Sequence, residues 1–173
     1  KTAGESAEGV VLQIAEPGLC KWFTDQCIAA GTAAGRDMSN YRSMAAAPAY
    51  FGDKKKAIEA TKWFPAMVGN HVADIVEKYG ADSDKVPASL TSYIEARRGY
   101  DYSKHGQSDN PYLDFITDDI VESFCVLGEP DDHIKKIRDL EAAGVTQFNI
   151  YLDSGEEEDI IARYGREVIP AFR

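Results

Sequence analysis

Two stretches of the chain concentrate side chains able to bind a small molecule or move a proton. The first is WFPAMVGNHV, residues 63–72. Pro65 removes a backbone donor and crowds the preceding turn, so it breaks or kinks a helix at that point. Gly69 lets another group approach the backbone closely. A helix interrupted in this way can turn Asn70 and His71 toward a pocket walled by Trp63 and Phe64. His71 is the candidate catalytic group for proton transfer or orientation, because imidazole titrates near working pH. The same residues also read as plain core, with Trp63, Phe64, Met67 and Val68 buried and Pro65 a tolerated kink.

The second stretch is RRGYDYSKHG, residues 97–106. Arg97 and Arg98 suit bidentate capture of a carboxylate or phosphate. Tyr100, Tyr102 and His105 can stack or hydrogen-bond. The competing reading is an ordered surface loop whose arginines pair with the chain's many acids. The candidate substrate-binding set is therefore Trp63, Asn70, Arg97, Arg98, Tyr100, Tyr102 and His105. Other polar groups read as structural. Lys54–Lys56 form a solvated face at a helix start, although lysines suit that positive end poorly. Asp131 and Asp132 are helix-start acids and His133 an exposed surface residue. No metal site, Ser-His-Asp constellation, P-loop or GxGxxG is present.

These residues need elements to hold them. GVVLQI (9–14) reads as a buried strand. GLCKWFTDQCIAAGTAAGR follows as a helix, with Leu19, Phe23 and Ile28 on its apolar face and Gly35 at its end. YRSMAAAPAYF (41–51) reads as a second strand, ending at Pro48 or shortly after it. DKKKAIEATKWF is a helix capped by Asp53, interrupted at Pro65, and continued by AMVGNHVADIVEKYG. Residues 81–117 form an insertion of turn formers, tyrosines and charges, with a short helix around Leu90–Arg97. Loops this long in compact domains are usually functional or disordered, and the aromatics favour an ordered one. DDIVESFCVLG leads into the helix EPDDHIKKIRDLEAAG, ended by Gly144. VTQFNIYL (145–152) is a third strand, and EEEDIIARYGREVIP is a closing helix with acids at its positive end. Strands separated by helices imply parallel pairing through right-handed crossovers, an α/β fold.

Composition narrows the function classes. The chain has 173 residues, enough for one domain with its own core. Its net charge of -10 and pI of about 4.7 argue against a nucleic-acid partner and against docking on anionic membranes. No apolar run approaches a membrane span, and no signal peptide is visible. The three cysteines lack zinc-ligand spacing, and reduced thiols in a cytoplasmic protein are the simple reading. The start KTAGESAEGVV, without methionine, reads as a helix tail entering a strand and as a cut.

The strings GESAEGVVLQIAEP, AAGTAAGRD and FCVLGEPDDHIKKIRDLEAAGVTQFNIYL resemble segments of the luciferase-like monooxygenase superfamily, with Glu8 in place of that family's usual aspartate. WFPAMVGNHVADIVEKYG, GYDYSKHG and YGREVIPAFR resemble one subgroup, the F420- or flavin-dependent oxidoreductases. The resemblance covers essentially the whole chain. It implies a (β/α)8 TIM barrel, of which this chain is the C-terminal half: one partial barrel domain with an insertion after its second visible strand. It also implies F420 or FMN in the barrel mouth and a small-molecule substrate. Active sites of such barrels lie at the C-terminal ends of the strands. That rule points to Gln13, Ile14 and Ala15 as cofactor-binding, with Glu16 beside them, and to Ala47–Phe51 and Asn149–Asp153. The family's phosphate-cradling turn would precede Lys1, so the fragment alone is expected to be inactive. Its open edges invite a homo-oligomer or pairing with an N-terminal half. The alternatives are a non-catalytic half-barrel subunit and a truncated remnant.

Overall fold

The computed structural model describes residues 1–79, 116–152 and 155–173. Within them the elements run Thr2–Ser6 (α1), Gly9–Leu12 (β1), Pro17–Ala33 (α2), Arg42–Phe51 (β2), Lys54–Thr61 (α3), Trp63–Tyr79 (α4), Asp118–Phe124 (α5), Val126–Gly128 (β3), Pro130–Ala142 (α6), Gln147–Tyr151 (β4) and Glu157–Arg163 (α7). The strands form one parallel α/β sheet. Strand β2 is its spine. It pairs with β1 from Arg42 to Ala45, with β4 from Met44 to Pro48, and with β3 from Ala49 to Phe51. Because β1 and β4 both pair with Met44 and Ala45, they lie on opposite edges of β2.

Several sequence expectations change here. Strand β3 is a fourth strand within FCVLG, too short for its pattern to stand out. Strand β2 runs through Pro48 and ends shortly after it, at Phe51, within the bounds its pattern predicts. Pro48 is the last residue paired with β4, and Ala49 the first paired with β3. The missing N–H thus falls where the ladder changes partner, a place a sheet tolerates. The helical break lies at Lys62, between α3 and α4, and Pro65 sits in the first turn of α4. Proline clashes with the carbonyl four residues earlier, here Thr61, so the interruption appears one turn before the proline itself. The closing helix is not uniform. After Arg163 it widens into a π-helical turn (Tyr164–Val168) and then tightens into a 3-10 turn (Ile169–Phe172). The expected helix at Leu90–Arg97 and nearly all of the insertion lie outside the described residues.

Period-two alternation assigns the sheet's two faces. Ser43, Ala45, Ala47, Ala49 and Phe51 share one face, and helices cover it. The Ser43 hydroxyl lies 2.8 Å from that of Thr24 on α2, and Phe51 stacks on His133 of α6. Alanines at the centre of β2 let these helices pack close. The opposite face carries Val11, Met44, Ala46, Pro48, Tyr50, Asn149 and Tyr151 by register. Val11 on that face is 62% exposed, whereas Leu12 and Ile14 on the helix face are buried.

Helix ends follow their sequence signals. Gly35 and Gly144 close α2 and α6 with paired bonds, Gly35 N to Thr32 O and Arg36 N to Gly31 O, then Gly144 N to Glu141 O and Val145 N to Leu140 O. Gly128, at the end of β3, has φ of +119°, and a Cβ there would stand 2.5 Å from Asp132 Oδ2. That carboxylate accepts the Glu129 N–H at 2.9 Å at the start of α6. Gly128→Ala therefore strains the backbone and displaces a cap. The expected loss is roughly 1–3 kcal/mol, read from the denaturation midpoint at unchanged slope.

Candidate functional site

The C-terminal ends of β1, β2 and β4 bring a small set of polar groups together on the face opposite α2 and α6. Gln13 follows β1 and is exposed; its amide donates to the Tyr151 hydroxyl at 2.7 Å. The register sets Tyr151 opposite Pro48, with the small side chain of Ala46 one step below. The Tyr151 ring lies 5.7 Å from that of Phe64, which is fully buried in the first turn of α4. Trp63 is half-buried and meets Phe64 edge-on at 5.6 Å. One step above Pro48, Tyr50 donates its hydroxyl proton to Glu156 Oε1 at 2.9 Å. That bond, helped by some burial, holds the Tyr50 phenol above its ordinary pKa. The result is a floor of small side chains between two tyrosines, rimmed by an amide and a carboxylate. Because Tyr151 accepts from Gln13, its own proton remains to be donated, and Gln13 retains a carbonyl acceptor.

Behind this mouth lies a buried cluster that the sequence reading missed. His133, expected at the surface, is 0% exposed. Its Nε2 is 3.2 Å from the Tyr50 carbonyl and its Nδ1 is 2.9 Å from the Tyr164 hydroxyl. A carbonyl only accepts, so Nε2 carries the proton and Nδ1 accepts from Tyr164. The imidazole stacks on Phe51 at 4.0 Å and 9°, and the Arg163 guanidinium sits 4.1 Å from the same ring's centroid. Two groups this near one centroid must take opposite faces. Burial lowers the His133 pKa to about 4, with Arg163 acting in the same direction and the hydrogen bonds opposing. Burial also pushes the Tyr164 phenol up.

The sequence candidates divide. Gln13 stands at the mouth, Phe64 packs behind Tyr151, and Trp63 packs on Phe64. Ile14 and Ala15 stand behind it, 1% and 0% exposed, with Ile14 N bonded to Leu12 O and Ala15 N to Phe124 O. His71 is exposed on α4, and the side chain of Asn70 lies outside what is described. Arg97, Arg98, Tyr100, Tyr102 and His105 also lie outside the described residues. Lys54 pairs with Glu122 at 2.7 Å, in keeping with a solvated charge face. Sequence reasoning bracketed Tyr50 and Tyr151 within strand ends but did not single them out; alternation from Met44 and Gln147 was the available signal. For His133 there was none, since Tyr164 is 31 residues away.

Two other hollows lie away from these strand-end groups. A cleft of about 490 Å³ between α3, α5 and α6 is lined by Lys54, Glu122, Lys135, Lys136 and Asp139 among others. Several of its side chains are already engaged: Lys54 with Glu122, Lys135 with Asp139, and Lys136 with the carbonyls of Glu122 and Ser123. An apolar groove of about 1040 Å³ lies between α1 and α2, with Trp22 and Phe23 on its wall, away from the strand ends. The cysteines are buried thiols, and burial with Glu16 nearby pushes the Cys20 thiol up to about 12, which leaves it unreactive. Among the described residues no helix is long and apolar enough to cross a membrane.

Residues 1–147 match a family model described as luciferase-like monooxygenase. A 5,10-methylenetetrahydromethanopterin reductase of Methanopyrus kandleri is 32% identical across the whole chain, and one of Archaeoglobus fulgidus is 26% identical over 99% of it. The chain covers 47% and 50% of those proteins, so it spans about half their length. The solved coenzyme F420 dependent tetrahydromethanopterin reductase from M. kandleri superposes with a TM-score of 0.64 at 28% identity, covering 99% of this chain and 47% of that one. An F420-dependent secondary alcohol dehydrogenase, solved with an F420-acetone adduct, gives the same TM-score at 24% identity over 99% of this chain and 44% of its own, a likeness of fold alone.

Proposed function

The chain belongs to the luciferase-like monooxygenase family, and from that premise we propose that it forms part of an F420-dependent oxidoreductase acting on a small organic substrate. The observation that carries this reading is the end-to-end 32% identity to a 5,10-methylenetetrahydromethanopterin reductase. The likeness to a solved F420-dependent reductase supports F420 over FMN. A reduced one-carbon pterin is accordingly the first substrate class to try.

The mouth fits a planar heterocycle. Phe64 backs Tyr151, and the Gln13 carbonyl with the Tyr151 hydroxyl offers an acceptor beside a donor. Such a pair complements a ring amide, which carries both a carbonyl and an N–H. F420, when bound, supplies hydride transfer. The chain's own residues orient it and the substrate, and Trp63 and Phe64 limit water access. Tyr50, kept protonated by Glu156, is a proton-bearing group on the same face.

F420 titrated into the protein should give saturable fluorescence quenching. Gln13→Leu should weaken binding about tenfold, the scale of one to two lost hydrogen bonds. Saturation by FMN alone would transfer the reading to a flavin. Saturation by neither would favour a second reading, to which the 62% exposure of Val11 on the inner face points. In that reading the chain is a non-catalytic half-barrel that pairs with a copy of itself or with a complementary half, and the solution mass would exceed that of one chain.

A further inference from the structure

The buried imidazole is expensive to desolvate and sits in no catalytic cleft, so its role must lie in what it holds. It reaches two elements at once. Its Nε2–H engages the carbonyl of Tyr50, and its Nδ1 is held by the Tyr164 hydroxyl from the π-helical turn. Tyr50 is the residue whose phenol stands at the mouth against Glu156, and Glu156 immediately precedes α7, the helix that continues into that turn. One histidine therefore braces both ends of the Tyr50–Glu156 pair: the strand end bearing the phenol and the helical segment bearing the carboxylate.

We propose that His133 is a positioning residue for Tyr50. The chain Tyr164 O–H to Nδ1, then Nε2–H to the Tyr50 carbonyl, fixes the end of β2 so that the phenol presents its proton to Glu156 at one place on the mouth. Phe51 stacks on the imidazole and Arg163 closes the far face of Phe51, which holds the ring's plane. The hydrogen-bond order requires a neutral imidazole with its proton on Nε2. The use of the positioned pair toward a bound cofactor or substrate rests on the oxidoreductase reading; the positioning itself does not.

The test is spectroscopic. Tyrosine labelled with carbon-13 at Cζ reports each phenol, and Tyr50→Phe assigns the Tyr50 signal. Glu156→Gln marks where that signal moves when the carboxylate partner is lost. His133→Phe keeps a ring against Phe51 but makes no hydrogen bond; it should move or broaden the Tyr50 signal toward the Glu156→Gln position. His133→Gln restores a donor for the Tyr50 carbonyl and should return the signal most of the way. Should His133→Phe not fold, Tyr164→Phe serves instead. It removes only the donor to Nδ1 and should shift Tyr50 in the same direction by less. A Tyr50 signal unmoved in the folded variant overturns the proposal, as does equal displacement in His133→Gln and His133→Phe, which would mean that the hydrogen bond to the Tyr50 carbonyl is not what places the phenol. Adding F420 to the unaltered protein examines function separately. Movement at Tyr50 or Tyr151 supports the oxidoreductase reading; silence at both counts against that reading and leaves the His133 result intact.

Discussion

Replacing Phe64 by alanine should destabilise the protein by about 3–5 kcal/mol, the range for deleting a buried aromatic. The side chain is 0% exposed, meets Trp63 edge-on at 5.6 Å, and lies 5.7 Å from the Tyr151 ring. Two terms add: the lost transfer energy of the ring, and the cavity left between α4 and β4. Phe64→Leu fills most of that cavity and should cost roughly 1–2 kcal/mol. The comparison decides which reading of WFPAMVGNHV holds for this residue. A pocket wall facing solvent would lose less than about 1 kcal/mol on truncation, because little burial is undone. Urea denaturation with an unchanged slope measures the difference. The structure places Phe64 in the core, with Trp63 half-buried beside it.

What the sequence showed and what it concealed follow from the range of the interactions. Strands β1 and β4 were legible as short apolar runs, and α2 and α6 by apolar spacing closed by Gly35 and Gly144. These signals act over a few residues. Strand β3 was not legible, because Val126–Gly128 is three residues long and is defined by its pairing to Ala49–Phe51, not by its own pattern. The end of β2 was legible only to within a few residues of Pro48 for a related reason: whether a proline ends a strand depends on which neighbour lies opposite. The mouth was partly legible, because strand ends in such a sheet carry ligand sites. That rule reached Gln13 and the stretch Asn149–Asp153, but it did not pair Gln13 with Tyr151, 138 residues later in the chain. His133 was read as surface because acids and lysines flank it in DDHIKK. It occupies the buried face of α6, and no local cue marks the contact with Tyr50, 83 residues earlier.

Acid should expose the cost of that buried imidazole. His133 titrates near 4 in the folded protein, chiefly because burial disfavours its charged form, with the Arg163 cation nearby acting the same way. The Asp132 carboxylate and the carbonyls of Tyr50 and Gly128 oppose this. In the unfolded chain the ring returns to the usual histidine value of about 6.5. Between these values the unfolded state binds a proton that the folded state does not, so unfolding is favoured as pH falls. Stability is therefore fully present above about 6.5, declines through the window, and levels off below about 4. The loss amounts to roughly 3 kcal/mol, at 1.36 kcal/mol per unit of pKa difference. Carboxylates held low by partners, such as Glu167 beside Arg163, lose stability only at the acid end of this range. They cannot produce a decline that begins near 6.5. Denaturation midpoints at successive pH values should thus show a slope between about 6.5 and 4 that disappears in His133→Gln, which has nothing to protonate there. A slope that persists in His133→Gln would mean that another group carries the acid sensitivity and that His133 is already charged, or already solvated, in the native protein.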